Sequence, residues 1–78
     1  LYIGEHTEEM LQCDMRLELA ELEQLRAAIA RCESVQDFVS RDLLEKILEA
    51  EEEHVDWIET QQHLIASTGL ENYLQSRL

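Results

Sequence analysis

LEKILEAEEEHVDWIETQQHLI, residues 44–65, decides how this chain folds. Positions Leu44, Ile47, Glu51, His54, Ile58, Gln62 and Ile65 recur at steps of three and four residues, with Val55 beside them. That is the period of a helix with one inward stripe, not the alternation of a strand. Glu52, Glu53 and Asp56 fall off the stripe and predict a solvated face. Glu51 and His54 fall on it, which sets the problem: an acid and an imidazole are placed where apolar side chains belong.

Upstream, Leu11, Met15, Glu18, Leu22, Leu25, Ile29 and Cys32 step by four and three without a slip, and Glu18 is the only polar member. The pattern predicts a first helix over about 7–32. Thr7 is the expected N-cap, and Glu8 and Glu9 suit the positive end of the helix dipole. Ser34-Val35-Gln36-Asp37 reads as a capping box opening a second helix over about 35–68. Gly69 supplies the stop, and a short amphipathic helix is expected over about 70–78. A connection this short makes the long helices antiparallel neighbours. The expected fold is all-α: a two-helix hairpin plus a short C-terminal helix.

Composition agrees. Two glycines, no proline, 45% hydrophobic and 31% charged residues describe a helical chain. A chain of 78 residues makes one domain at most. It buries only about 60% of its unfolded surface, so a partner is expected. A formal charge of -12 repels phosphate backbones and anionic lipid, which argues against nucleic-acid and membrane ligands, and it concentrates cations. Cys13 and Cys32 form no CxxC pair, and on one helix they stand roughly 28 Å apart, beyond disulfide reach. Reduced, structural cysteines in a cytoplasmic protein are the expectation. No signal peptide is recognisable, and no apolar run approaches the ~18 residues of a membrane span. The chain begins at Leu1 without methionine, as a segment of something longer would. Met10, Met15 and Trp57 are expected in packing or interfaces, His6 and His63 at the surface, and Tyr2 and Tyr73 in subunit contacts.

Counting from the turn brings the polar exceptions together. Glu18 lies sixteen residues before Ser34 and Glu51 seventeen after it, so both stand roughly 24 to 26 Å from the bend. His54 is one helical turn beyond Glu51 on the same face. Two carboxylates and one imidazole thus converge in an apolar seam. A buried unpaired carboxylate costs several kcal/mol, and neither seam carries Arg or Lys to offset it. A bound cation does so, and Glu-x-x-His offers an oxygen and a nitrogen ligand at suitable spacing. One hairpin supplies only three ligands and leaves its seam wet. Two hairpins in a four-helix bundle would supply four carboxylates and two histidines, enough for two metal ions; that ligand set is already known from ferritin-like di-iron bundles.

The stretches IGEHTEEMLQCDMRLELAELEQLRAAI (3–29), SVQDFVSRDLLEKILEAEEEHVDWIETQQHLI (34–65) and GLENYLQ (69–75) closely resemble the C-terminal half of the bacterioferritins, helices C, D and E, over essentially the whole chain. The resemblance implies half of a ferritin-like four-helix bundle, a shell of twenty-four chains, and iron storage with ferroxidase activity at di-iron centres. Carried over by position, Glu18 matches a terminal carboxylate ligand, Glu51 a bridging carboxylate and His54 the terminal imidazole. The family's remaining ligands, and the methionine that holds haem b, lie on helices this chain does not contain. Two completions stay open: an N-terminal half of the same protein, or a second copy of this chain. Two rival functions remain, a non-catalytic acidic hairpin acting as a dimerisation adaptor and a manganese-binding or oxygenase-type carboxylate protein. Register control needs only one polar residue, whereas here three share one height.

Overall fold

The computed structural model describes residues 3–76, with side chains from residue 6 onward. Three helices follow one another: α1 (Ile3–Ser34), α2 (Phe38–Thr68) and α3 (Leu70–Ser76). The fold is all-α, and α1 and α2 form an antiparallel hairpin 51 Å long and 19 by 18 Å across. A 32-residue helix spans about 48 Å, so the molecule is one helix long and two helices wide. Its radius of gyration is 16.7 Å, against about 12 Å for a compact chain of this length.

The long helices extend past or stop short of the ends expected from the sequence. α1 begins at Ile3, which leaves Thr7 inside the helix and not at its cap. A threonine caps only where the backbone leaves helical angles, and no proline before it forces that departure. The turn also differs. Ser34 remains in α1, where its hydroxyl donates to the Arg31 carbonyl at 2.7 Å, so it does not cap α2. Instead the Asp37 amide donates to the Cys32 carbonyl (2.8 Å) and the Gln36 amide to the Glu33 carbonyl (3.1 Å). This is the Schellman pattern, with Gln36 holding the left-handed position at φ 60°. Asp37 closes α1 and opens α2 at once, for its Oδ1 accepts from the Ser40 amide at 3.1 Å. These hydrogen bonds, led by the one from the Ser40 side chain, hold the Asp37 carboxyl below the ordinary carboxylate range. Arg41 braces the turn, reaching Glu33 at 3.7 Å and Glu45 at 3.4 Å while its guanidinium lies 5.1 Å from the Phe38 ring centre.

At the other end Gly69 takes φ 85°, and its amide donates to the Ile65 carbonyl at 2.9 Å, which stops α2. α3 then folds back across the open end. Leu11, Ile58, Ile65 and Tyr73 form the core there, flanked by Met15, Leu64, Leu70 and Leu74. Tyr73 is a buried anchor and not a surface contact as expected: its hydroxyl donates to Gln61 Oε1 at 2.7 Å. Tyr2 lies outside the described residues. Gln61, off the predicted stripe, is buried because α3 reaches it. Toward the turn the described residues place no third element on the hairpin, and its seam residues Leu25, Ile29, Leu44 and Leu48 are only half-buried.

Candidate metal centre

Glu18 comes from the middle of α1, and Glu51 and His54 from successive turns of α2. The structure brings all three together: one ligand atom from each lies within 4.8 Å of the others. Donors about 2.1 Å from one metal ion stand roughly 3 to 4 Å apart, so about an ångström of side-chain adjustment closes the set. His54 Nδ1 stands 3.2 Å from Glu18 Oε1, which identifies Nδ1 as the nitrogen turned toward the carboxylates.

The local environment bears on what the site can hold. Glu18 Oε2 and Glu51 Oε2 are hidden from solvent and have no hydrogen-bond partner. Buried polar atoms are almost always satisfied, so two orphaned oxygens at one level of a helical pair mark a place where a positive group fits. Hard carboxylate oxygens with one imidazole form a donor set suited to first-row transition metals. His54 is more open than its stripe position suggests, with 47% of its side chain exposed against 15% for Glu18. Ile47, also expected inward, is 42% exposed. Both lie on the side of the α2 stripe that no element among the described residues covers. A groove of about 400 Å³, lined by Glu21, Gln24, Leu25, Ala28, Ile47 and Glu51, runs along that side into the site.

The other candidates stand apart from the cluster. Glu52, Glu53 and Asp56 are exposed, and Glu52 meets Arg26 at 3.7 Å on the opposite face. His6 and His63 are exposed, Met10 is exposed and Met15 packs on the core. Cys13 and Cys32 are both free, Cys13 on the surface and Cys32 half-buried. Trp57 is exposed and not in the core, with its ring 6.3 Å from that of His54. Among the described residues, no helix is long and apolar enough to cross a membrane.

With that geometry in view, the relationships of the chain are direct. The sequence model of the ferritin-like domain family matches residues 2–68, and the chain belongs to that family. It is 48% identical over 77 residues to the bacterial ferritin of Synechocystis sp., covering 97% of this chain and 49% of that protein. It is 46% identical over 79 aligned positions to the bacterial ferritin of Pseudomonas aeruginosa, covering 100% and 51%. Against the bacterioferritin of Mycobacterium bovis it is 41% identical over 73 residues, covering 94% and 46%. The chain spans about half the length of these curated relatives.

Proposed function

We propose that this chain supplies one half of an iron-oxidising, iron-storing centre in a bacterioferritin-like protein. The observation that carries the reading is the pair of orphaned carboxylate oxygens, Glu18 Oε2 and Glu51 Oε2, beside His54 Nδ1. In an apolar seam such a cluster is tolerated when a cation neutralises it. The names of the relatives, bacterial ferritin and bacterioferritin, support iron as that cation.

In this reading Glu18, Glu51 and His54 hold iron together with a matching set from a partner hairpin, so that two ions share four carboxylates and two imidazoles. Bound iron supplies the redox chemistry, each Fe(II) giving one electron to dioxygen or peroxide as it becomes Fe(III). The residues of this chain set the conditions. Carboxylate oxygens favour the ferric state, and the imidazole retains affinity for the ferrous one. Glu51 sits on the open side of the seam and lines the groove, where its carboxylate would help hold iron together with ligands from the partner. The net charge of -12 draws Fe(II) toward the protein. Assembly into a hollow shell in the cytoplasm follows from the bacterioferritin resemblance, and the partner hairpin comes from an N-terminal half or a second copy. Neither Met10 nor Met15 is assigned to haem.

The test is anaerobic loading with Fe(II), then admission of oxygen while ferric absorbance is followed. Glu18→Ala and His54→Ala are each expected to abolish rapid oxidation while leaving the helical content intact. Unchanged oxidation kinetics in either variant would refute the assignment.

A further inference from the structure

The core at the open end of the hairpin runs up to the level of the metal centre. Ile58 and Tyr73 belong to that core, and Met15 packs against it. Met15 stands three residues before Glu18, and Ile58 four after His54, each one helical turn from a ligand on the same face. Helical side chains lean toward the N-terminus of their own helix. In these antiparallel helices that lean carries Ile58 over the turn of His54 and tilts Glu18 back toward Met15. The pair that meets at 3.2 Å, His54 Nδ1 and Glu18 Oε1, is therefore backed on its open-end side by the cluster that α3 completes.

We propose that α3 is a clasp for the metal centre, in which Tyr73 acts through Ile58 and Met15 to hold His54 and Glu18 at one height, so that α3 docking and metal affinity are coupled. This rests on the metal-centre reading above and adds a control of that site by the C-terminal helix.

α3 is built as a separable element. It has seven residues, and a helix shorter than about 12–15 residues is marginal alone, so its order comes from docking. Gly69, at φ 85°, interrupts the helical path from α2, so α3 can leave without unwinding it. Elements of this kind open at a lower free energy than the whole fold.

Its seat is specific. The Tyr73 hydroxyl donates to Gln61 Oε1 at 2.7 Å, and the two residues are only 7% and 3% exposed. Losing a donor to a buried acceptor costs more than the bond itself returns, which favours one register of α3 over its neighbours. Ile58, at 0% exposure, leaves no slack between this seat and the site. Close-packed interiors transmit displacement. His54 depends on that backing, because 47% of its own side chain is exposed and burial alone does not fix it.

A coupling between two sites acts equally in both directions, which supplies the test. The chain is taken in its native assembly, metal-free, and titrated anaerobically with Co(II). Hydrogen exchange is followed with and without Co(II) at the amides of α3 and, as a reference, at the turn amides of Asp37 and Arg41. Saturating Co(II) is expected to slow exchange in α3 about tenfold beyond any slowing at the turn. Tyr73→Ala, which undocks α3, is expected to weaken Co(II) binding by the same factor. Tyr73→Phe keeps the ring, loses the bond to Gln61 and is expected to fall between. Ile29→Ala removes seam packing near the turn, outside the α3 cluster, and is expected to lower stability while Co(II) affinity and the ligand-field spectrum stay as in the parent.

Exchange in α3 that Co(II) slows no more than at the turn overturns the clasp without recourse to any variant. So does parental Co(II) affinity in Tyr73→Ala, or a loss of affinity in Ile29→Ala as large as in Tyr73→Ala. No Co(II) uptake by the parent overturns the metal centre and the clasp with it, whereas uptake without coupling to α3 leaves the metal centre standing.

Discussion

Glu51→Gln separates the cost of the site from its use. The substitution keeps the side chain's shape and removes one of two carboxylate charges whose ligand oxygens lie within 4.8 Å. At an effective dielectric of about 20, two such charges repel by about 3.5 kcal/mol. Part of this is offset by His54, whose Nδ1 is 3.2 Å from Glu18, and by water at its exposed edge. A net gain of about 1–3 kcal/mol is therefore expected for the metal-free variant, or at least about 5 °C in Tm. With metal the order inverts. A cation at a hundred times its Kd stabilises the native protein by about 2.7 kcal/mol, and a variant that has lost a ligand forgoes most of that. Thermal and urea melts with and without anaerobic Co(II) measure all four states. The reasoning fails if Glu51→Gln is destabilised without metal and still gains the full metal-induced shift, because Glu51 would then be neither strained nor a ligand.

Three further outcomes follow from the same geometry. Gln36 holds φ 60° in the turn, so Gln36→Gly is expected to stabilise by about 0.5–1 kcal/mol in urea melts once the greater freedom of glycine in the unfolded chain is discounted. Asp37 has a folded pKa below its unfolded value, so its stabilisation is fully present above the ordinary carboxylate range and is lost as pH falls through the depressed folded value. Acid melts of Asp37→Asn, which keeps an acceptor for the Ser40 amide, should therefore show a shallower loss of stability at low pH than the parent. Trp57 is the single tryptophan and its ring lies 6.3 Å from that of His54, so Co(II) binding should quench its emission, and His54→Ala should abolish the quenching.

The order and type of the helices were legible because a period of three and four residues is a one-dimensional property. Seam positions from Leu11 to Cys32 on α1 are all at least half-buried, and Gly69 stops α2 where the pattern ends. The meeting of Glu18, Glu51 and His54 was legible for a related reason: a tight hairpin converts distance from the turn into height, so matched counts become proximity. The turn itself was not. Ser34 and Asp37 both carry N-cap chemistry, and the choice between them fell to backbone closure, which put Gln36 in a left-handed conformation usually left to glycine.

Exposure along a stripe belonged to tertiary structure alone. Periodicity marks Ile47 and His54 as inward and says nothing of Gln61 or Tyr73. In the fold, α3 returns over the open end and buries the Tyr73–Gln61 pair, while among the described residues the middle and turn end of the hairpin receive no third layer, which leaves Ile47 and His54 half open. A pattern of residues fixes which way a side chain points from its own helix axis. Whether anything stands there to meet it depends on packing between distant parts of the chain, which no local period encodes.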